Sequence, residues 1–208
     1  MTEHDGFPMF PLGSVLFPHA VLPLHVFEPR YRVLTDRCLA GDGEFGVVLI
    51  ERGHEVGGGD ARFDVGTVAR IVQAGRAPDG RWLLVTVGVQ RMRVVEWLPD
   101  DPHPLARVER LDDEGAGVVT SDAVDAVAGK LRRVLAMHAE LGDPVATLDV
   151  ELADDPLIAS FQACALAPIG PLDAQRLLAL DDASDRLSTL DELLTEDTEL
   201  LEHRLSSG

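Results

Sequence analysis

The chain is 208 residues long, enough to bury a sizeable core in one domain or in two small ones. Its apolar share of 46% excludes a disordered polymer, and no apolar run approaches the roughly 20 residues that a membrane span requires. The formal charge of −18 is unevenly spread: residues 1–110 carry 12 basic and 15 acidic groups, residues 111–208 carry 6 and 21. Two regions with different surfaces are expected, and a field of this sign disfavours nucleic-acid backbones.

The stretch from Phe7 to Tyr31, FPMFPLGSVLFPHAVLPLHVFEPRY, is an apolar run punctuated by Pro8, Pro11, Pro18, Pro23 and Pro29. Each proline removes an amide donor and fixes φ, so the five cannot all lie inside helices or central strands, which predicts short extended pieces and turns. Phe10, Leu16, Phe17, Val21, Leu22 and Phe27 are too apolar for a solvated linker, so the segment must be pinned to a core. His25, between Leu24 and Val26, reads as a satisfied structural histidine.

Pro29 suits a first helical position and Gly41 a stop, and Tyr31, Leu34, Thr35, Cys38 and Leu39 share one face of a helix over Arg30–Ala40. Phe45–Ile50 is a continuous apolar run, a strand covered on both faces, and Glu51–Arg62 with its three glycines is a surface loop. Gly66–Ala74 and Arg81–Val87 flank Ala77-Pro78-Asp79-Gly80, a turn signal that makes them a hairpin. A glycine break precedes a further strand over Gly88–Val94, Pro99–Pro104 is a loop, and Leu105–Leu111 alternates as a half-exposed strand.

From Val118 the period becomes helical. Thr120 or Ser121 caps a helix with Val124, Val127, Leu131, Val134, Leu135 and Leu141 on one stripe, ended by Gly142 and Pro144. Pro156 opens a second helix with Leu157, Phe161, Cys164 and Ala165 inward, and Pro171 a third through Leu177, Leu178 and Leu180. Ser184 caps a fourth with Leu187, Leu190, Leu194, Leu201 and Leu205 inward. The acidic pairs Asp100-Asp101, Asp112-Asp113, Asp154-Asp155 and Asp181-Asp182 fall at loops and helix starts, where negative charge favours the helix dipole.

The motifs Pro11-Leu12, Val15-Leu16-Phe17-Pro18, Pro23-Leu24-His25-Val26-Phe27-Glu28, Arg30-Tyr31 and Phe45-Gly46-Val47-Val48, in that order, resemble the amino-terminal substrate-binding domain of the Lon proteases. Gly66-Thr67-Val68-Ala69, Gly88-Val89-Gln90-Arg91, Gln175-Arg176-Leu177-Leu178 and Arg186-Leu187 extend the resemblance over roughly residues 7–205. It implies an α+β fold: a mostly antiparallel PUA-like barrel or sheet with one helix over residues 1–117, then an acidic helical bundle over 118–208.

The Lon proteases couple ATP hydrolysis to peptide-bond cleavage, and neither activity leaves a trace in these residues. The one Gly-Lys pair, Gly129-Lys130, is followed by Leu131 inside a helical pattern, so no phosphate-cradling loop is expected. Lys130 is the only lysine and its neighbours Arg132 and Arg133 suggest a solvated face, so no serine-lysine dyad is expected either. Two cysteines, Cys38 and Cys164, exclude a disulfide framework and read as buried thiols; the seven histidines, His138 among them on an apolar stripe, form no zinc motif, and no metal or cofactor is expected. Glu28 and Arg30–Arg32 read as a local ion-pair device at a helix start.

What the resemblance implies is a non-catalytic module that binds unfolded or tagged polypeptide. Phe10, Leu16, Phe17, Val21, Leu22 and Phe27 would form its apolar wall, and Arg91 its fork for a partner carboxylate. Other readings are an adaptor or assembly module docking through the acidic helices, and a PUA-like RNA binder using Arg70, Arg76, Arg81, Arg91 and Arg93. The acidic amino terminus, unlike the basic start of a secretory signal, points to a cytoplasmic protein without membrane contact; weak self-association is admitted.

Overall fold

The prolines of the opening segment do not keep it out of the sheet. In a computed structural model, which describes residues 6–52, 61–113, 119–145 and 147–207, β1 (Phe7–Leu12) carries Pro8 and Pro11 and lies between two partner strands. It runs parallel to β3 (Glu44–Arg52) over Met9–Leu12 and antiparallel to β6 (Leu105–Arg110) at Phe7 and Pro8. Successive amides of a strand point to opposite edges, and the Met9 N–H donates to the Pro104 carbonyl at 2.9 Å on the β6 side. Pro11 therefore faces that same side beyond the end of the β6 ladder, and Pro8 faces β3 just before that ladder begins. Neither ring deletes a ladder hydrogen bond, which is how two of the five prolines sit in a strand paired on both sides.

Contacts divide the chain into two units, Met1–Asp112 and Asp113–Gly208. In the first, the strands follow the order β2-β5-β4-β3-β1-β6, with β2 at Val21–Val26, β4 at Ala61–Arg76 and β5 at Trp82–Leu98. β6 also pairs with β5, so the path β5-β4-β3-β1-β6 returns to its start, and β2 hangs on the first half of β5. All pairings except β1–β3 are antiparallel. Most of the expected loop over Glu51–Arg62 lies outside the described residues; Glu51 and Arg52 continue β3, and Ala61 and Arg62 begin β4.

Gly88 does not divide β5, which runs through it as one strand of 17 residues. It sits where the β4–β5 register shifts, and a Cβ there would lie 2.2 Å from the Phe17 carbonyl oxygen. The missing side chain lets the turn Phe17–Ala20 lie directly on the strand: Gly88 N–H donates to Ala20 O at 2.9 Å, and His19 N–H donates to Gly88 O at 2.8 Å. Pro18 and His19, whose φ is 64°, occupy the two centres of that turn, the pattern of a type II turn.

Both faces of β1 are covered, which is why it shows no polar alternation. Phe10 and Leu12 join Leu16, Leu24, Val26, Phe45 and the inward face of α1 (Pro29–Ala40), while Met9 joins Val48, Val68, Met92, Val94 and Ala106. α1 buries Tyr31, Leu34, Thr35 and Cys38 as its spacing predicts; Leu39, at the edge of that stripe, is exposed instead.

The second unit holds α2 (Ser121–Glu140), α3 (Pro156–Leu166), α4 (Pro171–Ala179) and α5 (Ala183–Ser207). The Thr120 hydroxyl caps α2 by accepting from Ala123 N–H, and the Asp155 carboxylate caps α3 by accepting from Leu157 and Ile158 N–H. α5 is capped by Asp182, whose Oδ1 accepts from Ser184 N–H at 2.7 Å and Asp185 N–H at 3.3 Å, not by Ser184. Ala165 turns out to solvent, but Phe161 and Cys164 are buried as expected. Arg186 of α5 is fully buried: its guanidinium lies 3.9 Å from the Phe161 ring centre and donates to Ser160 Oγ and Leu180 O. The Arg186-Leu187 motif is thus an internal fastener of α3, α4 and α5. No helix among the described residues is long and apolar enough to cross a membrane.

Candidate functional site

β2 is the strand with an open edge. It pairs with β5 from Val21 to Val26, and no other strand pairs with it among the described residues. Because the Ala20 carbonyl points to β5, the backbone groups of Val21, Pro23 and His25 point to the open edge. Pro23 therefore costs the β2–β5 ladder nothing, and it leaves the open edge two N–H donors, of Val21 and His25, with three carbonyl acceptors. An extended chain can add to such an edge, and the proline limits how far a foreign sheet can propagate.

Beside this edge runs a groove of about 210 Å³ lined by Phe10, Leu12, Pro23, Leu24, Phe27 and Tyr31, among others. Phe10 and Tyr31 stack with ring centres 4.0 Å apart, and Phe45 tilts against Phe10 at 6.0 Å. At one end Glu28 holds Arg30 at 3.1 Å, and the Arg30 guanidinium lies 4.5 Å from the Tyr31 ring centre. This is the local ion-pair device expected at the helix start; it also fixes the aromatic floor in place.

The side chains assigned to an apolar wall separate into three groups. Val21 and Phe27 are 64% and 56% exposed and can meet a partner. Leu22 is half-buried and packs against the core, and Phe10 lies at the groove floor with 8% exposure. Leu16 and Phe17 are 4% and 3% exposed, inside the core beneath the Gly88 crossing, so they belong to the packing and not to the wall. Arg91 is 1% exposed within β5, and its fork cannot reach an outside carboxylate. His25 is exposed on the outward side of β2, not a buried structural histidine.

Pro23 and Leu24 in the groove lie on the proline-rich segment Met9–Phe27 that the sequence offers as the wall, but sequence reasoning missed Tyr31 there, and Leu83, which pairs across from His25 and is 49% exposed. Trp82–Val85 is apolar at every position, so no alternation marks which side chains face out.

Other chemistry-bearing groups are engaged in structure. Lys130 is not on an open solvated face: its Nζ bonds Asp191 Oδ1 at 2.6 Å and Thr195 Oγ1 at 2.7 Å, tying α2 to α5, and Gly129-Lys130 lies inside α2. Burial pushes the thiols of Cys38 and Cys164 up to about 12, with Asp42 adding to the effect at Cys38. Among the described residues no cluster of three or more His, Cys, Asp or Glu could hold a metal ion. Of the arginines named for RNA, Arg70 holds Glu44 and Arg81 holds Asp79, Arg76 lies over Trp82, and Arg91 is buried.

Comparison with known proteins places these features in context. Residues 6–196 match the family described as the ATP-dependent protease La (LON) substrate-binding domain. The Lon protease of Trichlorobacter lovleyi is 30% identical over 207 residues, covering 93% of this chain and 24% of that protein. Lon protease 2 of Myxococcus xanthus is 32% identical over 198 residues, covering 93% of this chain and 24% of that protein. The chain spans about a quarter of the length of these relatives. The crystal structure of a Lon N-terminal domain protein from Xanthomonas campestris superposes with a TM-score of 0.66 at 28% identity, covering 89% of this chain and 96% of that one. The N-terminal domain of Mycobacterium avium complex Lon protease shares the fold, with a TM-score of 0.61 at 18% identity over 92% of this chain and 98% of that one.

Proposed function

The chain belongs to the Lon substrate-binding domain family, and from that premise we propose that it is a non-catalytic polypeptide-recognition module taking extended, unfolded segments along the open edge of β2. The closed path of strands is read as a PUA-like barrel and the four later helices as a bundle, in a cytoplasmic protein. The observation that carries the reading is the coincidence of an unpaired strand edge, an aromatic-floored groove and two exposed anchors, Val21 and Phe27, on one short segment. Main-chain hydrogen bonds supply affinity for any extended chain, and the groove favours apolar or aromatic side chains at alternate positions.

Fluorescence anisotropy with a labelled, permanently unfolded polypeptide tests this. Wild-type protein is expected to bind in the micromolar range, and the double variant Val21→Asp, Phe27→Ser is expected to lose about tenfold or more in affinity, since exposed anchors dominate such contacts. Leu172→Ser on α4, where the leucine is 65% exposed, serves as the control and leaves binding unchanged. Silence across a broad peptide array would sink the proposal.

A second reading is an adaptor for a separate protease or other assembly, favoured by the charge concentrated after residue 110, where 21 acidic groups face 6 basic ones. Such a surface suits a basic docking partner. Co-purification from the native cell extract separates the two: a stoichiometric folded partner supports the adaptor, a mixture of unfolded chains the recognition module. RNA binding ranks below both, because the arginines it needs are mostly committed elsewhere.

A further inference from the structure

His138, in the last turn of α2, is held on both sides. Its Nδ1 lies 3.0 Å from Asp143 Oδ2, in the turn that follows α2, and its Nε2 lies 2.9 Å from Asp197 Oδ2 on α5. The side chain is only 15% exposed. An ionised carboxylate can only accept, whereas a neutral imidazole carries one N–H and one lone pair. One of the two contacts would then set lone pair against lone pair at hydrogen-bond distance. The imidazolium alone satisfies both.

We propose that His138 is an imidazolium latch, fastening the end of α2 and the turn after it to the C-terminal half of α5, and that it opens when the ring gives up its proton. The groups that act on the ring are few. Asp143 and Asp197 face it, and Arg204 of α5 donates to both oxygens of Asp143 at 2.8 and 3.3 Å. Arg133 and Glu202 pair with each other between α2 and α5 at 2.7 Å, as do Lys130 and Asp191 at 2.6 Å. α3, which also packs on α2, carries no charged side chain. The C-terminal end of α2 adds its own preference for a cation.

The electrostatics agree in direction. Burial opposes the charge on His138, but hydrogen bonds and attraction from Asp143 and Asp197 outweigh it and raise the pKa. Asp143 is lowered to about 2, first by Arg204 and then by His138. A raised histidine contributes stability that is fully present below its unfolded-state pKa, near 6.5, and lost as pH rises through the folded value. A depressed aspartate contributes stability present above its unfolded value, near 3.9, and lost as pH falls through the folded one. The latch is therefore closed in mildly acidic solution and opens as pH rises through the folded-state pKa of the ring, which lies above that of an unstructured histidine.

Nitrogen-15 NMR of the histidine rings reads the latch directly. In mildly acidic solution, below the pKa of an unstructured histidine near 6.5, both ring nitrogens of His138 are expected to show the N–H signature, and its titration is expected to lie above that of an unstructured histidine. Hydrogen exchange of the amides in 197–206, corrected for intrinsic rates, is expected to quicken about tenfold as the ring titrates, the local opening having become cheaper. In Asp197→Asn the amide can donate to the ring lone pair, so the titration moves down and the pH-dependence of exchange disappears. A titration of His138 at or below that of an unstructured histidine, or exchange in α5 indifferent to the ring's titration, overturns the proposal.

Discussion

Gly88 is the residue whose role is furthest from its apparent one. A glycine between two apolar runs reads as a break, yet here it lets a turn and a strand touch backbone to backbone, with a Cβ position 2.2 Å from a carbonyl oxygen. The obstructing atom is main chain and cannot swing aside. Gly88→Ala is expected to destabilise the sheet unit by about 2–3 kcal/mol, the cost of forcing atoms into a packed site, read as a lowered urea midpoint. An unchanged midpoint would mean that the Phe17–Ala20 turn is not seated on β5. Arg91 two positions later makes the same point about legibility. Side-chain type predicts an exposed fork, but exposure is decided by strands up to dozens of residues away, and Arg91 is 1% exposed. Phe27 was legible as apolar and within the motif Pro23–Glu28, and Val21 as apolar just before it; that they, and not Leu16 and Phe17, face solvent depends on the direction of β2, which the even apolar pattern does not encode.

Elements were legible where period and punctuation agreed. α1, α2, α3 and α4 begin where a proline or a capping hydroxyl announces them, and their buried stripes are mostly those of the spacing. Caps were less legible, because neighbouring Ser and Asp side chains compete for the same amides. At α5 the aspartate wins: Asp182 accepts from two N–H groups that Ser184, one residue into the helix, cannot reach around to serve. Asp182→Ala and Asp155→Ala should each cost about 1 kcal/mol, whereas Ser184→Ala should stay within about 0.5 kcal/mol. Helical ellipticity followed through thermal unfolding checks this, and a Ser184 effect as large as that of Asp182 would reassign the cap. Strand pairing was the harder case: β3 was legible from its continuous apolar run, but β1, also covered on both faces, carries no alternation, and the parallel β1–β3 pairing joins segments separated by a helix.

At the scale of the whole molecule the charge asymmetry was visible in composition, and it falls near the boundary between the two units. Its physical consequence is self-repulsion concentrated in the helical unit, where 20 acidic groups face 6 basic ones over residues 113–208. The pairs Lys130–Asp191, Arg133–Glu202 and Arg204–Asp143 offset part of it, all of them tying α2 or its following turn to α5. Both tryptophans, Trp82 and Trp97, lie on β5, so intrinsic fluorescence reports the sheet unit alone, while most of the helix lies in the other. The two probes can therefore be followed in one sample. Raising NaCl from about 20 mM to about 300 mM shortens the screening length several-fold and should lift the helical midpoint by a few degrees while leaving the fluorescence midpoint nearly in place. Screening also weakens the three surface pairs, but each contributes at most about 1 kcal/mol at this exposure, against repulsion summed over the whole acidic face. Midpoints that rise together would show that the units melt as one, and a helical midpoint that falls would show that the ion pairs outweigh the repulsion.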